Sequence, residues 1–302
     1  MENLKILTYH YIKDSEKKIQ ESILGPTKEN FYKQIKFLKE NFNIISPEDI
    51  SKAQKGDVLL TFDDGLKDHI DTVLPILLEF KLKALFFIPV CLLDHNPCPP
   101  VIIHYSLALL RLKKSEKLLK EFLKKFGIIK KFNQNTDIKE KIKEIKNFFK
   151  VELDHNIAIE ISELLNDYLN KKFPHLFEKI FLSKNDLKTI SKNNQFIACH
   201  TYSHPSFSKK FSINFLKHEI ILAKKRLEEF IGKKNNFFCL PYGTAEDCKN
   251  LNYKIFIDSD TKYLFKCFPA SIEKKESLVI FGRKSVYMNE NNHDISKYLE
   301  DL

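Results

Sequence analysis

The sequence predicts an α/β fold: a mainly parallel sheet or barrel with helices outside, interrupted by an all-helical insertion. Two observations carry this. Short β-rich apolar runs alternate with helix-period stripes along most of the 302 residues, the order in which crossover helices join parallel strands. Between about Leu92 and Ile180 the alternation lapses and only helical spacing is found. With 43% hydrophobic residues and 26 Phe there is ample material for a core, which excludes wholesale disorder. The chain reads as one domain over 1–302, with the insertion at 94–180 inside it.

Predicted strands are Leu4–Tyr9, Asn43–Ser46, Val58–Phe62, Ala84–Pro89, Phe196–His200, Asn236–Leu240, Lys254–Asp258 and Leu278–Phe281. Lys28–Asn41 places Phe31, Ile35 and Leu38 on one helical face, and Ile213–Ile231 carries Leu216, Ile220, Ala223, Leu227 and Phe230 along another. Leu66–Phe80 and Asn185–Asn193 are further helices. In the insertion, a Pro-rich turn at Asn96–Pro100 precedes two stripes. One is Leu118, Leu119, Phe122, Leu123 and Phe126; the other is Ile157, Ile161, Leu164, Leu165, Tyr168 and Leu169. Three or four helices are expected there.

The formal net charge is +10, and residues 105–195 hold 20 Lys+Arg against 12 Asp+Glu, so most of the excess sits in and beside the insertion. Only Arg111, Arg226 and Arg283 are arginines. Arginine grips phosphate bidentately and reads base edges, so this composition speaks against a specific nucleic-acid reader. Solvated helix faces account for such lysines, with an anionic membrane surface or an acidic partner as the alternative. No apolar run reaches the ~18 residues of a membrane span. The N-terminus reads as a strand and not as a secretory signal. The six Cys form no Cys-x-x-Cys pair and mostly sit in apolar runs. The expectation is a cytoplasmic protein with reduced thiols, at most peripheral to the inner membrane.

Chemistry gathers at three strand ends. Val58-Leu59-Leu60-Thr61-Phe62-Asp63-Asp64-Gly65 is an apolar strand ending in two carboxylates, one able to bind a metal while its neighbour faces a reacting water. The same tripeptide would also serve as a helix N-cap. Phe196–Cys199 delivers His200 and, after Thr201-Tyr202-Ser203, His204. His-x3-His can place two imidazoles on one cation, although two loop histidines can also be incidental. Asn236–Leu240 leads into Pro241-Tyr242-Gly243, by itself an ordinary turn. One carboxylate and two imidazoles with water positions left open make a catalytic metal site.

Together these motifs resemble the polysaccharide deacetylase family, the NodB-homology or carbohydrate esterase family 4 fold. Thr61-Phe62-Asp63-Asp64-Gly65 and His200-Thr201-Tyr202-Ser203-His204 match its first two motifs, and Pro241-Tyr242-Gly243 the end of its third. The resemblance covers about Leu4–Leu93 and Ile180–Val286 and implies a distorted (β/α)7-type barrel. It further implies Asp63 as general base and Asp64, His200 and His204 as ligands of one divalent metal. Zn²⁺ is first in line, with Co²⁺, Ni²⁺ or Fe²⁺ also suited. The reaction implied is hydrolysis of an acetamide, with the Tyr242 amide after Pro241 helping to hold the oxyanion.

Two departures matter. The family's third-motif Arg is replaced by Cys239, and its C-terminal Leu-x-x-His motif is missing. A circularly permuted branch, the poly-N-acetylglucosamine deacetylases, supplies both functions elsewhere. By that resemblance His10 in Leu7-Thr8-Tyr9-His10-Tyr11 is the general acid, placed across the metal from Asp63, and Arg283 in Phe281-Gly282-Arg283-Lys284 orients the base. Asp258 and Asp260 are secondary candidates for the pocket wall. His69, His95, His104, His155, His175, His218 and His293 have no evident companion ligands.

The implied function is a metal-dependent N-deacetylase acting on a sugar. The expected substrate is a lipid- or nucleotide-linked precursor on the cytoplasmic side, in surface-polysaccharide or lipopolysaccharide synthesis. The alternatives are a carbohydrate-binding pseudoenzyme of the same fold and, far behind, a non-haem iron oxygenase. The oxygenase is disfavoured by the motif order and by the second carboxylate.

Overall fold

The apolar runs pair in the order in which they occur along the chain. The computed structural model describes residues 4–13, 25–112, 124, 127, 138–267 and 272–286. Its strands are β1 (Lys5–Tyr9), β2 (Val58–Phe62), β3 (Leu85–Ile88), β4 (Phe196–Cys199), β5 (Phe237–Cys239), β6 (Tyr263–Cys267), β7 (Ile272–Lys275) and β8 (Leu278–Ser285). The sheet runs β1-β2-β3-β4-β5-β6-β8, and β8 returns to β1 through Leu7↔Lys284 and Thr8↔Ser285. This closes a parallel barrel of seven strands, with β7 antiparallel on β8.

Side chains alternate across each strand. Ile6, Leu59, Leu85, Phe87, Ala198, Phe237, Phe265 and Phe281 form one buried cluster, filling the barrel. Their neighbours Leu7, Leu60, Phe62, Phe86, Phe238, Leu264 and Ile280 pack in a second cluster with the surrounding helices.

Helix α1 (Lys28–Asn41) has the predicted bounds. Thr27 caps it by accepting from Asn30 N, and Phe31, Ile35 and Leu38 are its buried stripe. The helix read over Leu66–Phe80 starts later, as a π-helical stretch His69–Val73 running into α2 (Leu74–Glu79). The reading of Lys254–Asp258 as a strand is corrected. It is helical over Lys254–Ile257, with adjacent Ile255 and Phe256 both buried, a pattern no half-buried strand produces. Asn43–Ser46 contributes only the bridge Ile44↔Val58.

The insertion folds as α3 (Pro99–Leu112), α4 (Ile138–Asn147) with a π-helical stretch Phe148–Glu152, α5 (His155–Lys172) and α6 (Leu176–Ile180). The stripe Leu118, Leu119, Phe122, Leu123 and Phe126 lies outside the described residues. On α5 the buried face is Ala158, Ser162, Leu165 and Leu169, while Ile157 and Leu164 are 45% and 57% exposed. The buried stripe is thus rotated from the predicted one, toward Ala158 and Ser162, on a helix that packs against α3. The insertion leaves beyond the C-terminal end of β3. It returns where Phe181 bridges Leu66 and Leu182 N donates to Gly65 O at 2.8 Å. Both attachments lie at the C-terminal mouth of the barrel, where βα-barrel chemistry gathers. No described helix is long and apolar enough to cross a membrane.

Candidate active site

Four of the barrel-facing rows arrive at a polar group at the C-terminal mouth. Ile6 and Thr8 lead to His10, Leu59 and Thr61 to Asp63, Ala198 to His200, and Val279 and Phe281 to Arg283. Backbone ladder bonds fix the ends: Asp63 N donates to Tyr9 O at 3.0 Å and His200 N to Ile88 O at 3.0 Å.

Arg283 is 2% exposed and grips Asp63 with both nitrogens, at 2.8 Å to Oδ1 and 2.6 Å to Oδ2. It also donates to Thr61 Oγ1 at 3.0 Å and to Cys239 Sγ at 2.9 Å, and its guanidinium stacks over Phe87. The volume beside Asp63 is therefore filled by an Arg on β8, against the small Cys239 side chain on β5. Burial alone would raise the Asp63 carboxyl, but Arg283 foremost, with His200 and His10, holds it below the usual carboxylate range. Arg283→Met is expected to destabilise the fold by about 3–5 kcal/mol in chemical denaturation, because it leaves a buried carboxylate unpaired. Arg283→Lys should recover only part, since an ammonium cannot bind both oxygens.

Asp64 turns the other way, toward the imidazoles. Its Oδ1 lies 3.2 Å from His204 Nε2 and 3.6 Å from His200 Nε2, and it is buried without a well-formed hydrogen bond among the described residues. Ligands at ~2.0–2.2 Å from a common ion sit roughly 3.0–3.5 Å apart, so the spacing fits a divalent cation. His200 Nδ1 faces the carbonyl of Cys239 at 3.0 Å. Donation there leaves the Nε2 lone pair directed at Asp64, the tautomer that a metal ligand needs. Burial pushes His200 down to about 4, so it is neutral near pH 7. Burial opposes ionisation of Asp64, yet its contacts with His204, then His10 and His200, keep it well below the usual range. Carboxylate and neutral imidazole are the metal-binding protonation states.

Asp63, His200 and Cys239 also cluster. A cation there would share Asp63 Oδ2 and Cys239 Sγ with the Arg283 guanidinium, and burial holds the Cys239 thiol protonated. The Asp64, His200, His204 set has no such competitor among the described residues.

His10 Nε2 lies 3.9 Å from Asp63 Oδ2 and is partly exposed, and its carbonyl is met by His69 Nε2 at 3.0 Å. The two are neighbours at the mouth, closer than groups separated by a metal. Tyr242 closes the opposite side, its ring edge-on to His204 at 5.0 Å. Pro241 before it is buried. Gly243 has φ +75°, and a Cβ there would meet Cys267 N at 2.3 Å. Asp258 and Asp260 are exposed and precede β6, at the opposite end of the barrel from the site, which removes them from the pocket wall.

Four non-glycine residues here have left-handed backbones: Asp64, Thr201, His204 and Tyr242. Each such conformation costs of order 1–3 kcal/mol and needs outside support. In the His200–His204 turn, Thr201 Oγ1 accepts from His204 N at 3.0 Å. Buried Glu219 accepts from Tyr202 N, Ser203 N and Ser203 Oγ at 3.0, 2.9 and 2.7 Å. His155 of α5 meets Ser203 Oγ at 2.7 Å. Sequence reading missed Glu219 and treated His155 as lacking companions. No local signal marks either, since Glu219 sits within an apolar helix stripe.

The sequence matches the polysaccharide deacetylase family profile over residues 51–98 and 155–254, leaving out most of the insertion. The chain belongs to the polysaccharide deacetylase family. It is accordingly a deacetylase of polysaccharide type, a hydrolase of carbon–nitrogen bonds. The fold agrees. A de-N-acetylase from Aggregatibacter actinomycetemcomitans superposes with TM-score 0.59 at 16% identity, covering 99% of each chain. The Streptococcus pyogenes deacetylase PplD, solved with acetate, gives 0.55 at 14% identity, covering 94% of this chain and 92% of its own. IcaB from Ammonifex degensii gives 0.53 at 15%, covering 95% and 92%. No curated protein matches the chain in sequence.

Proposed function

We propose that this polysaccharide deacetylase removes an N-acetyl or other N-acyl group from a sugar with the help of one divalent metal. The observation that carries the proposal is the division within the dyad. Asp63 is bound by Arg283, and Asp64 faces two imidazoles with matching spacing and protonation. In this reading Asp64, His200 and His204 hold the metal, Zn²⁺ first among those suited to oxygen and nitrogen donors. When bound, the metal supplies a water of lowered pKa and polarises the acyl oxygen.

The chain's own groups do the rest. Asp63, kept ionised and fixed in orientation by Arg283, receives the proton of the attacking water. The Tyr242 N–H, presented by the left-handed turn after Pro241, donates to the oxyanion. His10 Nε2 gives a proton to the departing amine. A pseudoenzyme is not favoured, because a site kept only for binding sugar has no use for a buried bidentate Arg–Asp pair beside a cation cradle.

A lipid- or nucleotide-linked saccharide on the cytoplasmic side is the proposed substrate. Six free thiols, five of them buried, suit a reducing compartment, and the lysine-rich insertion suits a pyrophosphate or an anionic lipid surface. Acetate release from N-acetylated nucleotide sugars and lipid-linked sugars, with and without added Zn²⁺, tests the reading. Zn²⁺-loaded protein that releases acetate from none of these would overturn it. His200→Ala and His204→Ala should each lose stoichiometric metal by mass spectrometry, and all turnover, while still unfolding cooperatively. A double variant that retained one metal per chain would remove these ligands.

A further inference from the structure

We infer that Lys150, supplied by the helical insertion, is a positioning residue for the Pro241–Thr244 turn and so for the Tyr242 N–H. The inference rests on the role proposed above for that N–H. Two independent contacts converge on Lys150. Its Nζ lies 2.8 Å from Asp247 Oδ1 and 3.0 Å from Oδ2, and it stands over the Tyr242 ring at 4.6 Å from the centroid.

Asp247 is 1% exposed. Its Oδ2 accepts from Thr244 N and Thr244 Oγ1, capping the short helix that follows the turn, and its Oδ1 accepts from Ser206 Oγ at 2.9 Å. The carboxylate thus ties the third-motif turn to the segment just after His204. Lys150 is its one cationic partner among the described residues. Removing that partner would leave a buried carboxylate with an uncompensated charge, which strains the ties it makes.

Tyr242 itself has φ +58°, a backbone that tyrosine does not hold unaided. Its ring is clamped between the His204 imidazole and the Lys150 ammonium. Lys150 is anchored in turn, because Phe148 and Phe149 beside it are buried and Lys209 Nζ donates to Leu153 O at 2.6 Å. An insertion lying mostly outside the family match thereby acquires a hold on the oxyanion side of the site.

Three variants test this, each loaded with Zn²⁺ and assayed on a fluorogenic acetyl ester. Lys150→Met should lower kcat about 10- to 100-fold, short of the ~10²–10³-fold cost of deleting an oxyanion donor, with KM little changed. It should also lower the melting midpoint. Lys150→Met/Asp247→Asn should restore the midpoint, since no buried charge is left unpaired, yet kcat should stay low. Lys150→Arg should restore both. Return of kcat together with the midpoint in the double variant would reduce Lys150 to a stabilising residue and overturn the inference. A second readout needs no turnover: the Tyr242 amide resonance in ¹⁵N-tyrosine-labelled protein, assigned with Tyr242→Phe. It should be displaced in the double variant, and an unchanged resonance would overturn the inference. Wild-type protein with no esterase or deacetylase activity would count against the proposed function, while the resonance would still decide the role of Lys150.

Discussion

Asp63→Asn is expected to keep one metal per chain while losing ~10²–10⁴-fold in kcat, whereas Asp64→Asn loses the metal itself. The two carboxylates are adjacent in sequence and both buried, yet they face different partners. Arg283 covers both oxygens of Asp63, and Asp64 Oδ1 looks toward His200 and His204. An amide at position 63 keeps the shape but cannot take a proton. It also leaves Arg283 as a buried unpaired cation, so the variant should be less stable by about 3–5 kcal/mol. Turnover must therefore be compared at a temperature where both proteins are folded. At position 64 an amide removes the one anionic donor, and imidazoles alone hold a divalent ion far less tightly. Metal content by mass spectrometry and kcat on the same preparations separate the two roles. Equal loss of metal in both variants would show that the division of the dyad is wrong.

The barrel was legible because seven parallel strands must bury both faces, and most of them announce themselves as short apolar runs. Val58–Phe62 and Leu85–Ile88 are apolar almost throughout, as a strand between two cores requires. Where a strand carries few apolar residues the signal fails. Ile272–Lys275 has three charged residues in four and was missed, because it lies outside the ring and pairs only with β8. Tyr263–Cys267 escapes the pattern because the apolar residues of Lys254–Ile257, a helical turn, mimic a strand just ahead of it.

The site was legible to the extent that it sits on strand ends. Asp63, His200 and Arg283 each continue a barrel-facing row, so alternation alone aims them at a common mouth. Its support was not legible. Lys150 and Asp247 are 97 residues apart, Ser203 and Glu219 sixteen, and neither pair belongs to a periodic pattern. The left-handed backbones of Thr201, His204 and Tyr242 likewise draw support from these distant groups, with Thr201 Oγ1 accepting from His204 N as the one local bond described above.

His10 gives the second large effect. The first strand runs beside the second in register, Tyr9 opposite Phe62, so His10 and Asp63 emerge as neighbours at one rim, with Nε2 3.9 Å from Oδ2. His69, buried under the rim, fixes the His10 carbonyl and so restricts the backbone from which the imidazole projects. A partly exposed imidazole held in this way can reach the nitrogen of a bound acetamide and exchange its proton with solvent between turnovers. General-acid help of this kind contributes ~10²–10⁴-fold, so His10→Ala should lose that much kcat with metal content unchanged. An acetyl ester with a good phenolate leaving group needs no protonation. On it His10→Ala should be nearly as fast as wild type, while the amide substrate suffers the full loss. A variant equally slow on both would place His10 in binding or in support of Asp63, and one equally fast on both would remove it from the mechanism.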